Sequence, residues 1–201
     1  MAYRDFSLEK VKKEFQLIEK PMILFPNVQV LEPSAWLQQT LKIGLKLGRV
    51  SSSEKARSEF IVTPILLEMN MRNDESFAIF SGERLDVDAE SGLRGECDFI
   101  LSNGPIANTI QAPIFTLVEA KKQDIKDGLG QCVAQMLGAQ IFNRTAGNEL
   151  ETIYGCVTSG EDWQFLRLQG QTIEIDTDLY YINEVGKLLW IFQSVIDLYQ
   201  V

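Results

Sequence analysis

Apolar residues follow two kinds of spacing along this chain. In some segments they recur every three or four positions, which is typical of helices, and in shorter ones they alternate or run together, which is typical of strands. The helical spacing predicts helices near 7–19, 33–47, 51–71, 125–142 and 182–199. The shorter runs, separated by Gly, Asn and Pro, predict strands at 77–81 (running on towards 87), 93–101, 114–118, 152–158, 163–168 and 172–176. This order predicts a layered α/β fold with a mixed central sheet.

Residues 1–50 are predicted to form an N-terminal helical extension packed on a core domain of residues 51–201. The core domain would close with a strand hairpin and a helix. Ser7 is placed to cap the first helix, and Ser51 and Glu54 fit a capping box that starts the third. Pro64 lies inside that third helix and is expected to kink or break it.

Composition is that of an ordinary globular protein, with 45% hydrophobic and 23% charged residues. No apolar run approaches the roughly 20 residues that span a bilayer, and the first residues lack the features of a signal peptide. The three cysteines, Cys97, Cys132 and Cys156, form no CxxC pair. These features predict a cytoplasmic protein that makes no membrane contact and keeps its thiols reduced.

The chain contains no histidine, which limits the chemistry that it can perform. Catalytic triads, Cys-His pairs and histidine-ligated zinc are excluded, and carboxylates, lysine and hard metals such as Mg²⁺ or Mn²⁺ remain. The net charge of −9 argues against tight unaided DNA binding. Basic residues gather only at Lys10, Lys12 and Lys13 and at Lys121, Lys122 and Lys126.

Three charged residues lie in or at the end of neighbouring apolar strands. Asp98 interrupts the second predicted strand, and Glu119 and Lys121 close the third. Successive side chains of a strand point to opposite faces, so Glu119 and Lys121 share a face that Ala120 does not. A carboxylate and an ammonium at the end of a buried strand cost free energy, which favours a functional role. Asp98 and Glu119 are therefore predicted to meet around a divalent metal, with the Ala120 carbonyl as a further ligand.

In these residues the chain resembles the PD-(D/E)xK nuclease superfamily, whose fold is restriction-endonuclease-like. Asp98 in GECDFIL resembles the family's strand Asp, and Glu119-Ala120-Lys121 in LVEAK resembles its (D/E)xK. Cys97 stands where the family often has Pro. Glu59 in SEFIVTPILLEM resembles the helix acid that precedes the strands.

A glutamine completes the resemblance. Gln131 in GLGQCVAQM resembles the glutamine of the helix that follows (D/E)xK, and Gln135, one turn further on, is its competitor. The resemblance covers Glu59 to Gln135 and the strand at 153–158. It implies an αβββαβ core.

The resemblance implies a DNA endonuclease of restriction or mobile-element type that needs Mg²⁺ or Mn²⁺. Asp98, Glu119 and Ala120 would bind the metal, and Lys121 would orient the attacking water or stabilise developing charge. Glu59 would support the metal or its water, and a homodimer would cut both strands. The role implied for Gln131 is to position the DNA backbone or Lys121.

Blander interpretations remain open for each of these residues. Glu119 and Lys121 could form a solvated pair of little energetic weight, and Glu59 could reach solvent from the edge of an apolar stripe. Glu96 shares a face with Asp98 and is a possible extra ligand. Gly128 and Gly130 allow close approach of a phosphate or are ordinary loop glycines. The alternative function is a non-catalytic or partner-dependent interaction module that keeps the nuclease fold.

Overall fold

A computed structural model describes residues 1–51, 53–121 and 124–199. A 3₁₀ turn at Tyr3–Asp5 precedes the first helix, and another at Ile182–Glu184 precedes the last. The α-helices are α1 (Leu8–Phe15), α2 (Ala35–Val50), α3 (Glu54–Arg57), α4 (Thr63–Arg72), α5 (Lys126–Thr145) and α6 (Val185–Asp197). The strands are β1 (Ile18–Met22), β2 (Phe77–Arg84), β3 (Glu96–Asn103), β4 (Ile114–Ala120), β5 (Thr152–Thr158), β6 (Asp162–Gln169), β7 (Thr172–Asp176) and β8 (Tyr180–Tyr181).

Within the described residues, the strands form one open sheet. Its order is β1-β7-β6-β5-β4-β3-β2, with β8 paired to β6. The β4–β5 and β1–β7 pairs are parallel and the others are antiparallel. The parallel pair β4–β5 needs a crossover, and α5 supplies it. The prediction of an α/β fold with a mixed central sheet is confirmed.

Two hydrophobic clusters lie on the two faces of the sheet. One packs α2, α4 and α6 against side chains such as Phe99, Phe115 and Trp163. The other packs α1 and α5 against side chains such as Leu117 and Leu166. Because both faces of β4 are covered, all seven of its residues are buried. None of the helices in the described part of the chain has the length and apolarity needed to cross a membrane.

Residues 1–50 were expected to form a helical extension, and the structure corrects this in part. Ile18–Met22 form β1, which pairs with β7 and extends the sheet by one edge strand. The first predicted helix therefore ends at Phe15, and Gln16 turns the chain with a left-handed backbone. Pro21 and the polar residues of this strand concealed it in the sequence, and both suit an edge strand. Ser7 caps α1 as predicted, because its Oγ accepts from the Lys10 N–H.

The helix predicted for 51–71 begins later than expected. Ser53 is the N-cap of α3, where its Oγ accepts from the Ala56 N–H, and Ser51 instead ends α2. The predicted capping box from Ser51 to Glu54 is therefore wrong. Glu54 becomes the first residue of the helix, and it lines the cleft described below.

Pro64 does not break this helix. A π-helical turn at Ser58–Val62 joins α3 to α4, and Pro64 lies in the first turn of α4. Proline lacks an N–H and clashes with the carbonyl one turn before it, and a wider turn relieves both problems. The expected kink or break is replaced by this local change of helical winding.

Candidate functional site

The site forms where β3 and β4 separate. Their antiparallel pairing includes Phe99 opposite Val118 and is not continued beyond that pair. In the gap, the Ala120 N–H donates to Oδ2 of Asp98 at 2.7 Å. The Asp98 side chain thus accepts the hydrogen bond that a backbone carbonyl of β3 would accept if the strands stayed paired. The strands thus diverge around the two acids that the sequence singled out, Asp98 and Glu119.

Glu119 and Lys121 form a partly buried ion pair. Lys121 Nζ lies 2.8 Å from Oε1 of Glu119, and the two side chains are 17% and 2% exposed. Two glutamines on α5 complete the cluster: Lys121 Nζ donates to Oε1 of Gln131 at 2.9 Å, and Gln135 Nε2 donates to Oε2 of Glu119 at 2.8 Å. The competing glutamines therefore both belong to the site, with different partners. The alternative interpretation, in which Glu119 and Lys121 form an exposed and solvated pair, is therefore wrong.

Burial perturbs the pKa values of both acids, and the charge of a neighbouring acid adds to each shift, Asp98 for Glu119 and Glu54 for Asp98. Burial, followed by the nearby Asp98 charge, raises the pKa of Glu119 to about 7, although Lys121 and Gln135 oppose the shift. Burial also raises the pKa of Asp98, against the hydrogen bond from Ala120. For Lys121, burial would lower the pKa, but the Glu119 charge outweighs it, so the pKa is raised and the ammonium is kept. The paired acids thus lie where more positive charge would be stabilising.

Gly128 makes room for Lys121. A Cβ at this position would lie 2.6 Å from Cγ1 of Val157 and 2.9 Å from Cγ of Lys121, so any side chain would displace the lysine. Gly130 instead allows the Phe6–Ser7 backbone to pack against α5. Both glycines lie inside a helix and are buried, so their role as loop glycines is wrong.

A cleft of about 550 Å³ opens over the cluster. Among the described residues, four basic and four acidic side chains line it, which gives a locally balanced charge in a protein of net charge −9. The basic residues are Arg4, Arg84, Arg94 and Lys121, and the acidic ones are Glu54, Glu96, Asp98 and Glu119. The three arginines come from distant parts of the sequence, so no run of charges revealed them. Lys122, part of the basic group expected after β4, lies outside the described residues.

The helix acid is placed differently from the prediction. Glu59 is exposed, with its side chain 54% accessible, lies 3.8 Å from Lys55 Nζ, and does not line the cleft. Glu54 does line it, and its charge contributes to the pKa shifts of Asp98 and Lys121. The late start of α3 and the π-helical turn change which side of the helix faces the sheet. Glu96, the possible extra ligand, also lines the cleft.

The donor set suits a hard divalent cation in chemistry and in charge. Two carboxylates and a backbone carbonyl are oxygen ligands of the kind that Mg²⁺ and Mn²⁺ prefer, and the pKa values of both acids are raised, chiefly by burial. Within the described residues, no three Cys, Asp or Glu side chains converge into a metal site by themselves. The metal set Asp98, Glu119 and Ala120 therefore stays a prediction.

Comparison with known proteins does not assign this site to a family. No protein-family model matches the chain, and no curated protein sequence matches it either.

Proposed function

We propose that this protein is a metal-dependent DNA endonuclease that hydrolyses phosphodiester bonds. One observation carries the proposal: the two acids and the lysine meet at the divergence of two strands, under a cleft edged by three arginines. A structural ion pair needs neither the second carboxylate nor the basic rim.

The order of elements supports the finer assignment of a restriction-endonuclease-like core. A helical segment, β2, β3, β4, α5 and β5 follow in the order αβββαβ, with β4 between β3 and β5. Asp98 lies on the second of these strands, Glu119 and Lys121 at the end of the third, and both glutamines on the following helix. This is the arrangement that the resemblance implies.

The residues divide the work of hydrolysis between them. Asp98, Glu119 and the Ala120 carbonyl would hold the cation, which when bound supplies Lewis acidity and offsets the charge of the phosphate. The Glu119 charge raises the pKa of Lys121, so the ammonium would stabilise the negative charge that develops on the phosphoryl oxygens. Gln131 fixes the position of Nζ, and Gln135 fixes the orientation of the Glu119 carboxylate.

Charge explains how an acidic protein would accept an anionic polymer. The cleft is neutral by count, so one bound divalent cation would make it positive. Arg4 and Arg94 at its edge suit phosphate oxygens, to which guanidinium groups bind in a bidentate manner, whereas Arg84 is paired with Asp86. Substrate would therefore be attracted to the cleft alone, and only with metal present.

The test is nicking of supercoiled plasmid with Mg²⁺ or Mn²⁺. We expect Asp98→Asn, Glu119→Gln and Lys121→Met each to reduce the rate by at least about a hundredfold, the range for loss of a charge-stabilising group. Glu54→Gln and Glu59→Gln form a matched pair on one helical segment. Glu54→Gln should slow cleavage, whereas Glu59→Gln should leave it unchanged.

Wild-type rates in a well-folded Lys121→Met variant would remove this residue from the mechanism. The reverse result for the glutamate pair, with Glu59 required and Glu54 dispensable, would show that the helix acid acts as the family resemblance implies rather than as the cleft suggests.

A non-catalytic interaction module is the second candidate, and the closed hydrogen bonding of Glu119 favours it. Lys121 and Gln135 engage both oxygens of this carboxylate, so a cation must compete with the ammonium. Calorimetric titration with Mn²⁺ separates the two functions. Saturable binding that Asp98→Asn removes supports the nuclease, and no binding at millimolar Mn²⁺ supports the module.

A further inference from the structure

Helix α2 has three distinct faces. Its buried stripe packs on the core and comprises Leu37, Leu41, Gly44 and Gly48. One residue before each of these lies a second stripe of Trp36, Thr40, Ile43 and Leu47, which Val50 extends. All but the half-buried Thr40 are exposed apolar residues. Beyond it lies a polar and basic edge of Gln39, Lys42, Lys46 and Arg49.

The uncovered stripe lies beside the contact between α2 and the next helical segment. The Gly44 position packs directly on the Phe60 carbonyl, where any Cβ would clash. Thr40 and Leu47 lie one turn before and after that contact on the same flank of α2. The neighbouring segment contributes the exposed side chains of Phe60, Leu67 and Met71.

These side chains define the α2–α4 groove, which comprises Trp36, Ile43, Leu47, Phe60, Leu67 and Met71. Ile43 is 57% exposed and Met71 is 52% exposed, so the fold covers neither. A cluster of exposed large apolar side chains on one helix pair is typical of an interaction site rather than of ordinary surface.

Spacing indicates what shape of partner fits. Positions 36, 40, 43, 47 and 50 recur at intervals of four and three, which is the pattern of a helix that packs along another helix. A groove between two helices with this repeat accepts the apolar stripe of a third helix.

Charge indicates what composition that helix has. From Ala35 to Val50 there is no acidic residue, although the whole protein carries a net charge of −9. Arg49 pairs with Glu161, but neither Lys42 nor Lys46 forms an ion pair with any described residue. Two exposed ammonium groups thus lie on α2 beside its uncovered stripe.

We propose that the α2–α4 groove binds an amphipathic helix of a partner protein that carries acidic residues beside its apolar stripe. A second copy of this chain fits less well, because its own α2 would bring basic side chains against Lys42 and Lys46. An anionic bilayer is disfavoured by the overall negative charge. This proposal rests on α2 and α4 alone and is independent of the chemistry in the cleft.

The experiment uses the full chain and a fluorescein-labelled synthetic peptide of about 21 residues, or three heptads, with Leu at a and d and Glu at e and g. A second peptide carries Lys in place of every Glu. Fluorescence anisotropy measures both dissociation constants. We expect saturable micromolar binding of the acidic peptide and at least tenfold weaker binding of the basic one.

Variants locate the binding. The double variant Ile43→Asp with Leu47→Asp should weaken binding of the acidic peptide by at least about tenfold. The double variant Lys42→Glu with Lys46→Glu should weaken the acidic peptide and strengthen the basic one. Ile106→Asp is the matched control, since Ile106 is also an exposed isoleucine but lies on the β3–β4 connection and should have no effect. Circular dichroism confirms that each variant is folded.

Three results would overturn the proposal. Equal binding of both peptides, or none, removes the acidic helix as occupant. Binding to phosphatidylserine vesicles that Ile43→Asp with Leu47→Asp abolishes, without peptide binding, makes the groove a membrane site. A dimer in sedimentation that the same variant dissociates makes it a self-association surface.

Discussion

Three neighbours fix the position of the Lys121 side chain: a carboxylate, an amide and a glycine. Glu119 and Gln131 bind its Nζ, and Gly128 leaves the space through which its aliphatic stem passes. A lysine at the end of a strand has many rotamers, and restricting it costs up to about 2 kcal/mol of side-chain entropy. The environment therefore pre-organises the ammonium, as a charge-stabilising group requires.

Gly128→Ala tests whether the position of Lys121 matters, because it adds one methyl group beside the lysine. Gly130→Ala is its matched control on the same helix. Both should destabilise the fold by about 1–3 kcal/mol, because both positions are close-packed. Only Gly128→Ala contacts Lys121, so it alone should abolish cleavage under conditions where the protein remains folded. Urea unfolding measures the first effect and plasmid nicking the second.

Equal loss of activity in both glycine variants would contradict this assignment, since Gly130 packs on the Phe6–Ser7 backbone and not on the lysine. The sequence shows both glycines but not their role. Whether a glycine allows a phosphate to approach, a loop to turn or a side chain to pack depends on its tertiary neighbours.

At the scale of secondary-structure elements, the Glu68 side chain connects α4 to the start of α2. Its buried carboxylate accepts from the Ser34 N–H at 3.0 Å, from Ser34 Oγ at 2.6 Å and from Arg72 Nε at 2.8 Å. Ser34 is the N-cap of α2, so the contact fixes the start of α2 against α4. Burial opposes ionisation, but the bonds from Ser34 and Arg72 outweigh it and lower the pKa of Glu68.

The lowered pKa predicts how stability depends on pH. A depressed folded-state pKa contributes stability above the ordinary glutamate value, near 4.3, and the contribution is lost as pH falls through the folded value. Glu68→Gln should therefore cost about 2 kcal/mol at pH 7, and the difference from wild type should shrink below about pH 4. Urea unfolding at several pH values measures the difference.

Glu59→Gln serves as the control at every pH, because its exposed ion pair with Lys55 is worth little. A gap between wild type and Glu68→Gln that stays constant down to pH 3 would show that ionisation of Glu68 plays no part. The hydrogen bonds of Glu68 could not be predicted from the sequence, because its partner Ser34 is 34 positions away and no local pattern connects the two residues.

At the scale of the whole molecule, charge is unevenly distributed. The protein is acidic, yet its cleft gathers Arg4, Arg84 and Arg94 beside the metal-binding candidates. Association with DNA should therefore be weak without a cation and sensitive to salt with one.

Arg94→Ala measures the contribution of this basic rim, because the guanidinium of Arg84 is already paired with Asp86. With Ca²⁺ present to permit binding, it should weaken DNA affinity and reduce the slope of log K against log salt by about 1. Arg144→Ala is the control, because Arg144 is exposed in the last turn of α5, roughly 20 Å along the helix from Gln131. Identical salt slopes for the two variants would place the DNA elsewhere.

The sequence by itself determined the class of fold and singled out three charged residues that the structure brings together. Strands at 152–158 and 172–176 have the predicted bounds. The first is a mostly apolar run and the second alternates apolar with polar residues, and turn residues flank both. Asp98, Glu119 and Lys121 could be identified because charged residues in apolar strands are costly, and that cost is a local property.

Tertiary structure alone decided the rest. The choice of Glu54 over Glu59, the division of Lys121 and Glu119 between two glutamines, and the gathering of three arginines all depend on contacts between distant segments. The polar edge strand at Ile18–Met22 likewise forms only because β7 is there to pair with it. Local sequence encodes burial and periodicity, whereas the partner of a polar side chain is set by packing, which brings together residues that the chain keeps far apart.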